Sequence, residues 1–371
     1  MTFAKGTNTK DKDFMLNGNP IGFAKTYKYL GITVSAKNCS FAPSLEDLSC
    51  KARKAIYGLL KKLPIYCTPL PTWLQIFDTY ITPILLYGSE VWGAYQDLDW
   101  KKWETSPIEK VHTQFLKRLL GVNRSTTNAM IRAELGRHSL IEKIATRNLN
   151  YLNYIRSKDE DELIKMAAGY ENLTSGRENL FSIRKQYASA DRNTIFVILS
   201  KDKTKKYVRE EFDTKWKEYI KSYPKAFTYR TFKDRINMEN YLTNITNRKH
   251  RVALTKLRLS DHNLMIEKGR HARPTIPREE RYCPICRDRV ESECHFLLVC
   301  TLYNRQYLCD FSKLVAPNFA NLELDEKFIF MMTQENIALT KMIAQAVKNW
   351  MEIRKNFLEL CEVLLDIMAL P

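Results

Sequence analysis

No GxxxxGK[ST] phosphate loop, GxSxG elbow, HExxH pair or GxGxxG turn occurs in this 371-residue chain, which removes the commonest nucleotide-binding, hydrolase and metalloprotease signatures. Nor do two aspartates stand side by side. Two-metal phosphoryl transfer needs clustered carboxylates to hold both ions, and the one dense acidic run, Asp159-Glu160-Asp161-Glu162, reads as a solvated loop and helix start. No magnesium site is evident. No apolar run approaches the roughly 20 residues needed to cross a bilayer, and the opening MTFAKG lacks a signal-peptide core, so no membrane partner is expected. The nine cysteines are odd in number and scattered, unlike a secreted disulfide framework. They fit a reducing compartment, nuclear or cytoplasmic.

Against these absences stands CPICRDRVESECHFLLVC, residues 283–300. Cys283, Cys286, His295 and Cys300 follow CxxC, then eight residues, then HxxxxC. Two thiolates on a tight turn, an imidazole and a third thiolate make a closed tetrahedral set that suits structural zinc and leaves no open position for catalysis. A redox CxxC is the alternative, but it has no use for His295 and Cys300. Cys294 competes as fourth ligand and ranks below Cys300, because His295 and Cys300 bracket the apolar Phe296-Leu297-Leu298-Val299 and can face one way at a helix start.

The net charge of +17 is uneven: residues 1–100 carry +3, 101–200 carry +6, 201–300 carry +10 and 301–371 carry −2. Arg248, Lys249, Arg251, Lys256, Arg258, Lys268, Arg270, Arg273, Arg278 and Arg281 crowd the approach to the metal ligands. A positive face beside a small metal module is the footprint of a polyanion binder, RNA or DNA first. The plainer reading is a solvated basic surface. Tyr282 and Phe296 lie where aromatic rings can stack on unpaired bases, although Phe296 also reads as core.

Along the chain, Asn17-Gly18 predicts a hairpin turn between Phe14-Met15-Leu16 and Asn19-Pro20-Ile21. Tyr27 to Val34 reads as a β-rich stretch in which Gly31 marks a bulge or a close backbone approach. Ser44 is the expected N-cap of a helix ending at Pro64. A helix from Thr72 to Tyr87 should kink at Pro83, Trp92 reads as core, and helices beginning at Pro107, Asn128 and Ser139 follow. Residues 163–245 read as helices, with the basic run Lys201–Lys206 either touching phosphate or, the favoured reading, covering a helix end. Glu335 to Leu370 predicts a long amphipathic helix that closes the core or binds a partner protein.

Four segments in order, YKYLGI (Tyr27–Ile32), PILLYGSEVWG (Pro83–Gly93), LRLSDHNLMIEKGRH (Leu257–His271) and REERYCPIC with ECHFLLVCTLY (Arg278–Tyr303), resemble the C-terminal half of reverse transcriptases from LINE-type non-LTR retrotransposons. The resemblance implies a mainly α fold with a small N-terminal β element. Residues 1–35 would be a palm remnant carrying the primer grip, 36–136 thumb-like helices, 137–277 a helical basic linker, 278–310 a CCHC zinc knuckle and 311–371 C-terminal helices. Tyr29 and Gly31 would approach a primer backbone, while the thumb and knuckle hold template RNA or DNA. The family's polymerase aspartates precede the primer grip, and the PD…D/E pattern that some related elements use for DNA cleavage after the knuckle is missing, so no catalytic residue is assigned. The chain as it stands is expected to bind rather than polymerise, as a truncated element, a partial gene model or a domesticated piece. Two other readings stay open: an active reverse transcriptase whose catalytic half lies upstream or on another chain, and a zinc-stapled helical protein-interaction module.

Overall fold

Two Xaa-Gly pairs at positive φ set the N-terminal strands. Asn17 and Gly18, at φ 49° and 79°, join β1 (Met15–Leu16) to β2 (Asn19–Pro20) as an antiparallel hairpin, as the sequence predicts; Phe14 and Ile21 lie outside the described residues. The second pair sharpens an expectation. Leu30 and Gly31, at φ 45° and 85°, fold the β-rich stretch Tyr27–Val34 back on itself, so β3 (Thr26–Tyr29) and β4 (Ile32–Ser35) form a hairpin with Tyr27 opposite Val34. Positive φ at both central residues matches the right-handed twist of the flanking strands. The expected close approach at Gly31 is present: a Cβ there would lie 3.1 Å from the Tyr87 ring, whose hydroxyl donates to the Leu30 carbonyl at 2.9 Å.

The computed structural model describes residues 15–20, 24–35, 40–93, 100–166 and 201–368. The protein is mainly helical, with its strands confined, among these residues, to the two hairpins. It divides into two units that interleave along the chain: Met1–Thr68, Thr72–His112 and Ser139–Phe212 make the first, and Pro69–Pro71, Thr113–His138 and Asp213–Pro371 the second. The stretch 36–136 thus contributes to both. The segment 1–6 and residues 167–200 lie outside the described residues.

In the first unit the helix Ala42–Lys62 begins before Ser44. Ser44 is therefore not its N-cap; its buried hydroxyl instead accepts from the Thr33 N–H at 2.6 Å and donates to the Thr33 carbonyl at 2.9 Å, pinning β4 to the helix. Pro83 follows a π-helical segment, an irregularity of the kind expected there. The helix Leu70–Ile76 passes through a π-helical segment, Phe77–Ile81, into Thr82–Leu85, and the five-residue segment absorbs the ladder bond that a proline nitrogen cannot donate. Trp92 is fully buried and donates to the Tyr87 carbonyl at 2.7 Å. Gly93 leaves no room for a Cβ, which would fall 2.5 Å from Ile144 and 2.6 Å from Asn148. Buried Glu109 accepts from the Trp103 indole at 2.9 Å and from the Leu140 N–H at 2.8 Å, satisfying an orphan donor at the start of the helix Leu140–Arg156.

The second unit is built around a buried guanidinium. Arg258 ends the helix Arg248–Arg258 and is 2% exposed. It bonds the Glu134 carboxylate, Glu239 at 2.7 Å and the Met332 carbonyl, with Phe232 and Tyr241 rings 4.7 and 5.1 Å from it. Glu239 also pairs with buried Lys233, and the Tyr229 hydroxyl donates to Glu134 at 3.0 Å. Burial opposes the Arg258 charge, but Glu134 and Glu239 outweigh it and hold the group above its ordinary value. The helix Ile337–Met368 packs along Arg248–Arg258, and its Leu339, Ile343 and Val347 are buried.

Removing one partner of a buried, hydrogen-bonded pair leaves the other charge uncompensated. Arg258→Ala should therefore lower unfolding free energy by about 3–5 kcal/mol, read by chemical denaturation. A loss below about 1 kcal/mol would show that the network does not organise this unit.

Candidate metal cluster and basic surface

The ligand segment owes its shape to turns that bring distant side chains together. The Cys283 N–H donates to the Arg289 carbonyl at 2.8 Å, and the Arg287 N–H returns to the Cys283 carbonyl at 2.9 Å, with Arg287 at φ 55° closing the loop. Ser292 then caps the helix Glu293–Leu298, accepting from the His295 N–H at 3.1 Å. The Cys300 N–H folds back onto the His295 carbonyl at 2.9 Å. As a result the donor atoms of Cys283, Cys286, His295 and Cys300 all lie within 4.8 Å of one another. The Cys283 and Cys300 sulfurs are 3.9 Å apart, and Cys286 Sγ is 3.4 Å from His295 Nε2. This Cys3His cluster can hold a metal ion.

The local electrostatics bear on that role in two directions. Burial pushes the Cys283 thiol up to about 12, with Glu291 and Cys300 adding to the rise and the backbone N–H groups of Cys286 and Ile285 opposing it. It thus keeps its proton at neutral pH until a metal ion displaces it. Burial pulls His295 below its ordinary value, which keeps the imidazole neutral and able to donate a lone pair. Cys294 is excluded as a ligand, since its sulfur lies 4.0 Å from both the Leu324 carbonyl and Asp325, and burial pushes its thiol up to about 12.

A second layer fixes the ligands, and no spacing rule pointed to it. Glu291 Oε1 lies 3.9 Å from Cys283 Sγ and is held bidentately by Arg354 of the C-terminal helix, at 2.6 and 2.7 Å. Its second oxygen also accepts from the Met265 N–H at 2.6 Å. Arg305 bonds the carbonyls of Leu297, Val299 and Cys300, capping the ligand helix. Glu293 accepts from Ser260 at 2.8 Å, Thr228 at 2.9 Å and His262 at 3.1 Å; burial opposes its ionisation, but the hydrogen bond and charge of His262 hold its carboxyl down at about 2. Behind the ligands, Phe296, Tyr303 and Trp350 pack ring on ring, with Tyr303 and Trp350 stacked at 5.3 Å. Phe296 is therefore core, and Tyr282 is the exposed aromatic.

The basic residues do not form one group. Arg258 and Arg281 are corrections: both are buried, Arg258 in its carboxylate network and Arg281 donating to the Ile276 and Ile266 carbonyls at 3.0 and 2.7 Å. Neither guanidinium can reach a phosphate. Arg251 is half-buried and donates to the Ile245 carbonyl at 2.8 Å; burial and the neighbouring Arg248 charge pull it below its ordinary value. Arg270 pairs with Glu267 at 3.0 Å. Lys249 and Arg273 are exposed, and Arg248, Lys256 and Arg278 half-buried. Arg278 lies 3.9 Å and Arg230 4.9 Å from the centre of the exposed Phe227 ring. Burial, Arg270 and Arg281 pull Arg278 below its ordinary value against Glu293 and Glu267. In the first unit, Tyr29 and Leu30 are exposed at the turn beside Gly31. No helix among the described residues is long and apolar enough to cross a membrane.

Compared with known protein families, with characterised proteins and with solved structures, the chain matches none.

Cys283→Ser should abolish stoichiometric metal in purified protein, measured by elemental analysis, whereas Cys294→Ser should retain it. Loss of a partner to a ligand shell typically costs 10- to 100-fold in metal affinity. Arg354→Gln should therefore weaken binding by about that factor in a chelator competition; unchanged affinity would detach the C-terminal helix from the site.

Proposed function

We propose that the chain is a nucleic-acid-binding part of a LINE-type reverse transcriptase, in which the Cys3His cluster holds one structural zinc ion and basic side chains near it grip phosphates. In this reading the exposed turn Tyr29-Leu30-Gly31 meets a primer backbone as a primer grip, and the second unit holds template RNA or DNA. The reaction itself belongs to carboxylates outside this chain's motifs, and a catalytic half encoded upstream or supplied in trans would complete an active enzyme.

For zinc, the donor set is three thiols and one imidazole with no open position. Zinc–sulfur bonds of about 2.3 Å in a tetrahedron separate sulfurs by about 3.8 Å, against 3.9 Å between Cys283 and Cys300. Bound zinc would keep the thiolates deprotonated and close the loop 283–300; it would take no part in chemistry.

The observation that carries nucleic acid as partner is the set of basic side chains left available on the +10 stretch of residues 201–300. Among the described residues, Lys249, Arg273 and Arg278 have no carboxylate partner, and Arg278 and Arg230 gather around the exposed Phe227 in the unit that holds the Cys3His cluster. Guanidiniums held at a surface by an aromatic ring are presented to an anion with little entropy left to lose. The buried Arg258 and Arg281 drop out, which reduces the site to fewer phosphate contacts than the raw count of arginines suggests.

Binding to single-stranded RNA should be nearly independent of sequence, and log affinity should fall linearly with log salt at about 0.7 per phosphate contact. Lys249→Ala, Arg273→Ala and Arg278→Ala together should shallow that slope by about 2 without changing zinc content. An unchanged slope would remove this surface from the interface. Absence of binding by the unmodified chain at low salt would sink the nucleic-acid reading itself.

A further inference from the structure

The C-terminal helix carries one apolar seam from Leu339 to Leu364, and the described residues cover only half of it. Leu339, Ile343, Ala346, Trp350, Ile353, Phe357, Leu360 and Leu364 follow one another at alternating steps of four and three residues, the repeat of a coiled-coil seam sustained over more than three heptads. The first four are at most 4% exposed, sunk in their own unit. The last four are 44%, 37%, 58% and 50% exposed, and Val363 beside them 54%. Lys355, Glu359 and Glu362 fall on the opposite side, with Lys355 paired to Glu359 at 3.6 Å, while Arg354 on the near flank is turned into its own unit. Asn356, Cys361 and Val363, which flank the exposed seam, carry no charge. A period of 3.5 residues drifts around a straight helix unless a partner helix draws it into a left-handed supercoil.

We propose that a second copy of this chain covers the exposed half of the seam, in an antiparallel, two-fold symmetric pair of C-terminal helices. The match is self-complementary. A two-fold axis midway between Leu358 and Glu359 sets Phe357 against the partner's Leu360 and Ile353 against the partner's Leu364. The helix remains embedded in its unit as far as Arg354, which is buried on Glu291. A parallel partner would therefore bring a second folded unit against the first within one turn of the seam; an antiparallel partner puts the two at opposite ends. The exposed parts of the five side chains amount to about 450 Å² a copy, so pairing removes about 900 Å², just under the roughly 1,000 Å² that separates specific interfaces from incidental ones. Half-buried Cys361 at the margin adds a little to this, a size that suits a weak, reversible pair. The segment 353–368 is only about 24 Å long, but its helix is already nucleated by the buried half, so pairing does not bear the cost of starting a helix. The dimer should be a micromolar one.

The test is sedimentation equilibrium of the full chain from about 1 to 100 µM. The 43.5 kDa monomer should convert to a species of about 87 kDa across that range. Phe357→Glu with Leu360→Glu should weaken dimerisation by about 100-fold or more, while helical content and metal stoichiometry stay unchanged, since neither side chain is buried in the monomer. For orientation, Ile353→Cys and Leu364→Cys chains should give a new disulfide-linked dimer only when mixed. A new cross-link from either variant alone would overturn the antiparallel arrangement. A wild-type chain that stays monomeric to the top of the range would overturn the dimer, whether or not hydrogen exchange finds the seam protected by another segment of the same chain.

Discussion

Arg258 is the constraint on which the second unit depends. A guanidinium cannot be neutralised at any pH the protein meets, so burying one obliges the fold to assemble acceptors around it. Glu134, Glu239 and the Met332 carbonyl do so from three widely separated parts of the chain, and Lys233 restores charge balance at Glu239. An apolar side chain of similar volume could fill the same space without demanding these partners. What the arginine adds is direction: its planar fork accepts only one relative placement of the helices that carry the acceptors.

The same logic extends to the metal segment. Closing four donors into a tetrahedron fixes a short loop, but nothing in that loop dictates where it sits on the protein. Glu291 supplies the connection. It is near Cys283 on one side, holds the backbone at Met265 on another and receives Arg354 from the C-terminal helix, while Glu293 reaches Ser260, His262 and Thr228. The cluster is therefore part of the unit's interior, with its ligand helix backed by Trp350 and Tyr303.

Features governed by local chemistry were legible in the sequence. The Cys3His spacing located a cluster whose four donors converge, and Asn17-Gly18 gave its hairpin. Long-range pairings were not legible. A basic run such as Arg248 to Arg281 looks uniform on paper because nothing in it distinguishes the arginine that meets Glu134 from the one that meets water. Ser44 looked like a cap because a serine after a proline near a helix start usually is one, and its bond to Thr33 depends on where β4 docks. Pro83 announced an irregularity but could not specify a π-turn. The segment LRLSDHN shows the limit most clearly: Arg258, Asp261 and His262 serve Glu134, Asn123 and Glu293, and each of those partners had to be seen to be known.

Because the two units interleave, their assembly is tied to the order in which the chain is made. Glu134 must wait for Arg258, and both must wait for Met332, before their buried charges and lone pairs are satisfied. Glu291 emerges from the ribosome 63 residues ahead of Arg354, by which time Cys283, Cys286, His295 and Cys300 are all available to a metal ion. At the few to tens of residues per second typical of synthesis, there is an interval of seconds in which a metal ion can organise the ligand loop while its carboxylate still lacks its arginine. A metal ion captured that early would give a growing chain a preformed surface onto which the helix Ile337–Met368 can close.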